Sequence, residues 1–215
     1  MPMSQPEALV LQPSLFDTGA EIAPGSLGAT VTRVPLAHGA WVDVRRGFMS
    51  GADELFAHLA AQVPWRAERR QMYERVVDIP RLLCFYGEGA ALPHPALDEA
   101  RRRLDAHYGA ELGEPFVTAG LCYYRDGRDS VAWHGDTIGR GATHDTMVAI
   151  VSVGAPRALL LRPRSGGDTL RYEVGHGDLL VMGGSCQRTW EHAVPKTARP
   201  AGPRISIQFR VRGVA

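Results

Sequence analysis

The sequence predicts an α+β domain with a mainly β core, a sandwich or jelly roll buttressed on one face by two helices. Three observations carry this. From residue 116 onward, short apolar or alternating runs follow one another, each closed by a turn signal. The chain is punctuated by 24 glycines and 15 prolines, which suits many short strands better than a helix bundle. Helical stripes occur in two stretches, both before residue 110.

In chain order, residues 1–30 scatter Pro, Gly and small residues and read as an arm lying on the domain, anchored by Leu15 and Phe16. Residues 31–215 are expected to form a single domain, with helices, outer strands and a lid region in 31–115 and the β core in 116–215. A first strand pair is expected over 30–35 and 41–46. A helix follows, with Ser50 as its cap and Asp53 and Glu54 at the positive end of its dipole. Leu55, Phe56, Leu59, Ala60 and Val63 form its apolar stripe, and Pro64 stops it. The stretch 65–78 is charged and aromatic without a convincing period. A second helix is expected from Pro95 to Tyr108, with Leu97, Ala100, Leu104 and Tyr108 inward and Arg101-Arg102-Arg103 on its wet face. The strands then fall at 116–124, 130–134, 146–153, 157–162, 169–174, 178–182, 190–194 and 204–211. Signals such as Asp126-Gly127 and Gly183-Gly184 separate them.

Composition narrows the function classes. A chain of 215 residues with 45% hydrophobic and 22% charged residues has the profile of a globular domain. No window holds about 18 consecutive apolar residues, so no spanning helix and no membrane association are expected. The first residues lack a basic stretch ahead of an apolar core, so a secretory signal is not expected. A net charge of +1 excludes a uniformly basic nucleic-acid coat but permits a local basic patch. The three cysteines, Cys84, Cys122 and Cys186, form no Cys-x-x-Cys pair, which excludes a zinc knuckle or thioredoxin-type site. Free thiols point to a reducing, cytoplasmic setting, and no obligate protein partner is expected.

The chemistry starts at Trp133-His134-Gly135-Asp136. If the strand runs on past residue 134, His134 and Asp136 stand at i and i+2, on one face and about 7 Å apart at the backbone. His192 can supply a third ligand. Two histidines and a carboxylate on one triangular face are the ligand set of non-haem Fe(II) oxygenases. Spacing alone also allows satisfied surface or turn histidines, and a second His-x-Asp occurs at His176-Gly177-Asp178, flanked by turn glycines. The last strand puts Ile205, Ile207 and Phe209 on one face and Arg204, Ser206, Gln208 and Arg210 on the other. That polar face is either a solvated edge or a carboxylate clamp.

Together these stretches resemble the AlkB family of Fe(II)- and 2-oxoglutarate-dependent dioxygenases, most closely the type found in animal nucleic-acid demethylases. The resemblance runs through Pro80-Arg81-Leu82-Leu83-Cys84-Phe85-Tyr86-Gly87-Glu88, Tyr124 through Asp136, Gly177 through Met182, Trp190 through Lys196, and Pro203 through Arg210. It covers roughly residues 55–212 in family order. It implies a double-stranded β-helix, with iron held by His134, Asp136 and His192 and the His176 motif on a turn with no metal role. It implies 2-oxoglutarate bound by Arg204 and Arg210, with Tyr124 donating its hydroxyl. The implied activity, with O₂ as co-substrate, is oxidative demethylation of alkylated bases in DNA or RNA, single strands favoured, giving formaldehyde, succinate and CO₂.

The sequence departs from the family pattern at three places. Cys122 and Ser206 stand where Asn is usual in the co-substrate site, losing amide hydrogen bonds. Thr137 and Ile138 follow Asp136 where another acidic residue usually lies near the target base, and Asp145 or Glu88 are the candidate substitutes. Substrate contacts are expected from Arg69, Arg70 and Tyr73 in a lid over 65–86, from Tyr86 as a pocket wall and from Thr137. Trp65 and Trp133 read as core, and Arg157, Arg162 and Arg164 as a basic rim. The rival readings are the same chemistry on a protein side chain or small metabolite, or a non-catalytic jelly-roll binding module.

Overall fold

The computed structural model describes residues 21–72 and 75–214. In chain order the elements are β1 Ala23–Pro24, β2 Thr32–Pro35, β3 Ala40–Arg45, β4 Met49–Ser50, α1 Ala52–Gln62, β5 Arg66–Met72, β6 Arg75–Tyr86 and α2 Pro95–Leu112. There follow β7 Thr118–Tyr124, β8 Val131–His134, β9 Val148–Gly154, β10 Arg157–Pro163, β11 Leu170–Val174 and β12 Asp178–Gly184. The chain then forms α3 Cys186–Thr189, β13 Trp190–Val194 and β14 Arg204–Arg210. All strand pairs are antiparallel. A large sheet runs β2-β3-β12-β9-β14-β7-β6-β5, a small one β11-β10-β13-β8, and β1 pairs with β4. This is the jelly roll that the eight C-terminal runs predict, and each run becomes a strand within about two residues of its expected bounds.

The large sheet divides the molecule by the alternation of its strands. One face carries Leu121, Val151, Val153, Ile205, Ile207 and Phe209, all buried, and helix α1 packs on it through Leu55 and Leu59. Helix α2 buries Leu97, Ala100, Leu104 and Tyr108, as its stripe predicts, and runs four residues beyond the expected end. His94 caps it, its side chain accepting from the Ala96 N–H at 3.1 Å. The Tyr108 ring stacks on Trp41 and its hydroxyl donates to Asp43, tying α2 to β3. Arg101, Arg102 and Arg103 pair with Asp98 and Glu99 on the wet side of α2.

Two local expectations are corrected. The cap of α1 is Gly51, not Ser50. Ser50 belongs to β4, and its hydroxyl donates to the Glu21 and Ala23 carbonyls across from β1. The stretch without a period is a β-hairpin, β5–β6, that extends the large sheet. Arg66, Ala67, Glu68 and Arg69 are all exposed, so over these described residues β5 shows no buried face to impose an alternating pattern. Leu15, Phe16 and Tyr73 lie outside the described residues, as does the side chain of Arg70. Among the described residues no helix is long and apolar enough to cross a membrane.

Candidate metal centre and co-substrate slot

The two histidines are placed by register. His134 at the end of β8 is directly opposite His192 on β13, so both rings leave the same face of the small sheet with centroids 4.2 Å apart. His134 is oriented by its backbone: Nδ1 bonds the Ala132 carbonyl at 2.9 Å, which makes Nδ1 the donor and turns the lone pair of Nε2 to the centre. The strand does not run on to residue 136. It ends at His134, and Gly135 lets the chain turn: a Cβ there would stand 2.5 Å from the Gln187 carbonyl oxygen. Asp136 is then held from both ends. Its backbone N–H donates to Gln187 Oε1 at 3.0 Å, and its Oδ2 accepts from Arg210 Nε at 2.6 Å. The result is that ligand atoms of His134, Asp136 and His192 all lie within 4.8 Å of one another.

Electrostatics keep this cluster in the state that binds a cation. Burial, with His134 beside it, pushes His192 down to about 3, so its ring is neutral with a free lone pair. Burial alone would raise the Asp136 carboxyl, but the Arg210 guanidinium and the two histidines carry it below the ordinary carboxylate range. An ionised Asp136 and a neutral His192 are protonation states that a metal requires.

The large sheet supplies the other wall. Register across β7, β14 and β9 sets three rows on its inner face: Tyr124–Arg204–Gly154, Cys122–Ser206–Ser152 and Gly120–Gln208–Ile150. Thr118–Arg210–Val148 makes a fourth beside Asp136. The four polar residues of β14 therefore line a slot that ends at the metal cluster, not a solvated edge. Arg204 is 2% exposed; its Nε donates to Ser152 Oγ at 2.8 Å. Its Nη1 is buried with no hydrogen-bond partner among the described residues. The Tyr124 ring lies 5.3 Å from that guanidinium, and burial pushes its phenol up to about 12, so it remains a donor.

Several sequence expectations are relocated. On β6, alternation sends Arg81, Leu83 and Phe85 to the site face, because they oppose Tyr124's row, Cys122 and Gly120. Tyr86 is on the opposite face, packed with Cys84 against the helix-side core, and is no pocket wall. Phe85, 66% exposed, stands on the site face in its place. Arg157 is not part of a rim. It is buried and donates to the carbonyls of Asp126, Asp129 and Pro195. Arg162 and Arg164 are engaged by Glu191, and Arg162 covers the half-buried Trp133 ring at 4.2 Å. Trp65 is also only half-buried, against Tyr123. Asp145 pairs with Arg188 and Glu88 with Arg212, so neither replaces an acid beside Asp136. Thr137 folds back on the Gly135 carbonyl, and Arg69 is exposed on β5. His176 accepts from the Gly154 N–H and faces Asp53, remote from the cluster as its turn glycines suggest.

Sequence reasoning missed Arg81, Gln187 and Gln208. Arg81 Nε is buried without a partner among the described residues at the slot, while its Nη1 donates to the Ser130 carbonyl. Only the alternation of β14 pointed to Gln208, and nothing local pointed to Gln187.

A model of the 2OG-Fe(II) oxygenase superfamily matches residues 88–210, and the chain belongs to that superfamily. The alpha-ketoglutarate-dependent dioxygenase alkB homolog 3 of Homo sapiens is 31% identical over 206 residues, 84% of this chain and 66% of that protein. The DNA oxidative demethylase ALKBH2 of Arabidopsis thaliana is 29% identical over 195 residues, 73% of this chain and 60% of that protein. Within the superfamily the chain is a member of the AlkB family. It spans 66% or less of the length of these two relatives. The structure of OsALKBH1 shares the fold, with a TM-score of 0.55 at 13% identity over 83% of this chain and 99% of that one.

The site fits what the superfamily's name describes. Two imidazoles and a carboxylate, with no fourth protein ligand among the described residues, suit ferrous iron with positions left open. Arg204 Nη1, without a hydrogen-bond partner among the described residues, stands beside a protonated Tyr124 and suits one carboxylate of 2-oxoglutarate.

Proposed function

We propose that the protein is an Fe(II)- and 2-oxoglutarate-dependent dioxygenase that removes alkyl groups from nucleic-acid bases, giving formaldehyde, succinate and CO₂. The observation that carries this reading is the convergence of His134, Asp136 and His192 at the end of the Arg204–Arg210 slot. Iron and 2-oxoglutarate, when bound, supply with O₂ the oxidising chemistry that no side chain can. The chain's own residues hold, orient and shield. His134, Asp136 and His192 would hold the metal from one side. Arg204 and the Tyr124 hydroxyl would bind one co-substrate carboxylate and Arg210 the other. Val131, Val148, Ile150 and Leu159 wall the slot with hydrocarbon, which excludes water and strengthens every charge interaction inside.

Outside the slot, a groove of about 760 Å³ leads away from His134 past Pro80, Arg81, Val131, Trp133, Pro195 and Lys196. Two cations along an apolar trough with one indole suit the phosphates and bases of a single strand. Arg69, and with it the expected lid residues Arg70 and Tyr73, belongs to this substrate proposal, as do a cytoplasmic location and action without an obligate protein partner.

A second reading keeps the chemistry and changes the substrate to a protein side chain or small metabolite. It is favoured by Thr137 and Ile138 after Asp136, with Asp145 and Glu88 engaged elsewhere. The test is release of succinate and formaldehyde with single-stranded oligonucleotides, methylated and unmethylated. Stimulation by the methylated strand alone is expected. Turnover of 2-oxoglutarate that no methylated strand stimulates moves the assignment to the second reading, and no turnover at all overturns both.

A further inference from the structure

The slot contains a side chain whose chemistry the metal and the two guanidiniums do not use. Gln208 stands between Arg204 and Arg210 on the inner face of β14 and is 9% exposed. Its Nε2 donates to Ser206 Oγ at 2.5 Å, and its Oε1 accepts from Cys122 Sγ at 3.7 Å. The amide plane is therefore held by the two short side chains beside it. A carboxamide nitrogen carries two hydrogens. One goes to Ser206 Oγ. The other has only the Ser206 carbonyl at 3.5 Å, the limit of a hydrogen bond. A buried amide hydrogen so poorly matched costs stability unless something else accepts it.

The opposite strand is cut to fit this side chain. Gly120 pairs with Gln208 across β7 and β14. A Cβ at residue 120 would stand 3.3 Å from Gln208 Oε1 and 2.9 Å from Arg210 Nη1. The missing side chain leaves room for the ends of the glutamine and the arginine to lie side by side in the slot, where a Cβ would make one of them shift.

We propose that Gln208 is a co-substrate-binding residue: it donates its second amide hydrogen to a carboxylate of 2-oxoglutarate, with Ser206 and Cys122 as positioning residues that hold the amide. The inference rests on the 2-oxoglutarate reading of the slot. It explains how a slot with a hydroxyl and a thiol at 206 and 122 still offers an amide to the ligand. The short polar residues orient the donor, and the longer glutamine reaches.

The test is calorimetric titration of 2-oxoglutarate into the protein loaded with Mn(II) in place of iron. Wild-type protein that binds no 2-oxoglutarate would sink the reading of the slot itself. If the wild type binds, Gln208→Met, which keeps the volume and removes the amide, is expected to weaken binding about tenfold or more. KM for 2-oxoglutarate should rise more than kcat falls, and adding Ser206→Asn to Gln208→Met should recover part of the loss. Affinity within twofold of wild type in a folded Gln208→Met variant overturns the proposal. A readout independent of any variant is the side-chain amide pair of Gln208 in the ¹⁵N spectrum of the Zn(II)-loaded protein. The pair is expected to move on addition of 2-oxoglutarate, and an unmoved pair overturns the proposal equally.

Discussion

Arg210 Nε donates to Asp136 Oδ2 at 2.6 Å, joining the end of the arginine-lined slot to the cluster of His134, Asp136 and His192. The other oxygen, Oδ1, faces His134 Nε2 at 3.9 Å. One guanidinium thus occupies the outward oxygen of the carboxylate and leaves the inward one to a metal. The carboxylate is 4% exposed and would otherwise be a buried charge without a countercharge. Arg210 therefore braces Asp136 with nothing bound in the slot, which its place in an arginine-lined strand did not reveal.

The coupling has a direct consequence. Arg210→Met is expected to weaken Mn(II) binding to the co-substrate-free protein by about tenfold to a hundredfold, the usual cost of removing a partner that orients a metal ligand. Mn(II) titration followed by electron paramagnetic resonance measures this. Unchanged metal affinity with weakened 2-oxoglutarate binding would show that Arg210 acts on the co-substrate alone.

Arg204 makes the opposite case. It is 2% exposed, burial disfavours its charge, and one nitrogen lacks a partner among the described residues. Such a group is held for function at a cost to the fold. Arg204→Met is expected to leave the urea midpoint of the metal-free protein unchanged or higher, while 2-oxoglutarate binding falls by more than about a hundredfold. A lower midpoint would make the guanidinium a structural group.

How much of this was legible follows from what sets each feature. The strands of the core were readable because buried runs such as Val148–Gly154 and Asp178–Gly184 are bounded by turn residues. The cluster of His134, Asp136 and His192 was legible only through the family resemblance, because the spacing of His134 and Asp136 alone also allowed surface or turn histidines. Side-chain parity on β6 was not legible: Leu82 through Gly87 is apolar, aromatic or small on both faces, so Tyr86 and Phe85 could not be told apart. The roles of Gln208, Gln187 and Arg157 depend on which distant residue lies across a strand or loop, as Gly120 lies across from Gln208, and no local pattern encodes that register.

Acid should unfold the metal-free protein through the cluster. His192 is held down at about 3 from an ordinary 6.5, and Asp136 is held below its ordinary 3.8. Both are depressed in the folded state, so the unfolded chain binds more protons, and stability present above the ordinary values is lost as pH falls. The loss begins below about pH 6.5 for His192 and adds Asp136 below about pH 4. Thermal midpoints of the metal-free wild type should fall more steeply across this window than those of His192→Gln. Parallel pH profiles would remove His192 from the account.

Arg157 is expected to be the largest single contributor to the integrity of the site among residues that do not line the slot, its guanidinium lying behind the Tyr124 ring at 5.6 Å. Its Nη1 donates to the Asp126 carbonyl at 2.9 Å, and its Nη2 to the carbonyls of Asp129 and Pro195 at 2.8 Å each. The first two lie in the loop that enters β8, and the third in the loop that leaves β13. The same guanidinium therefore clamps the two strands that present His134 and His192 to each other. Arg157→Ala leaves three acceptors short of a partner and is expected to cost about 3 kcal/mol or more. Arg157→Lys should recover little, because a single ammonium cannot reproduce a planar fork reaching three carbonyls. Urea unfolding of the metal-free variants measures both costs, and Mn(II) affinity should fall with them as the histidines lose their register. An alanine variant that unfolds at the wild-type midpoint would show that water replaces the guanidinium and that the two loops hold their places without it.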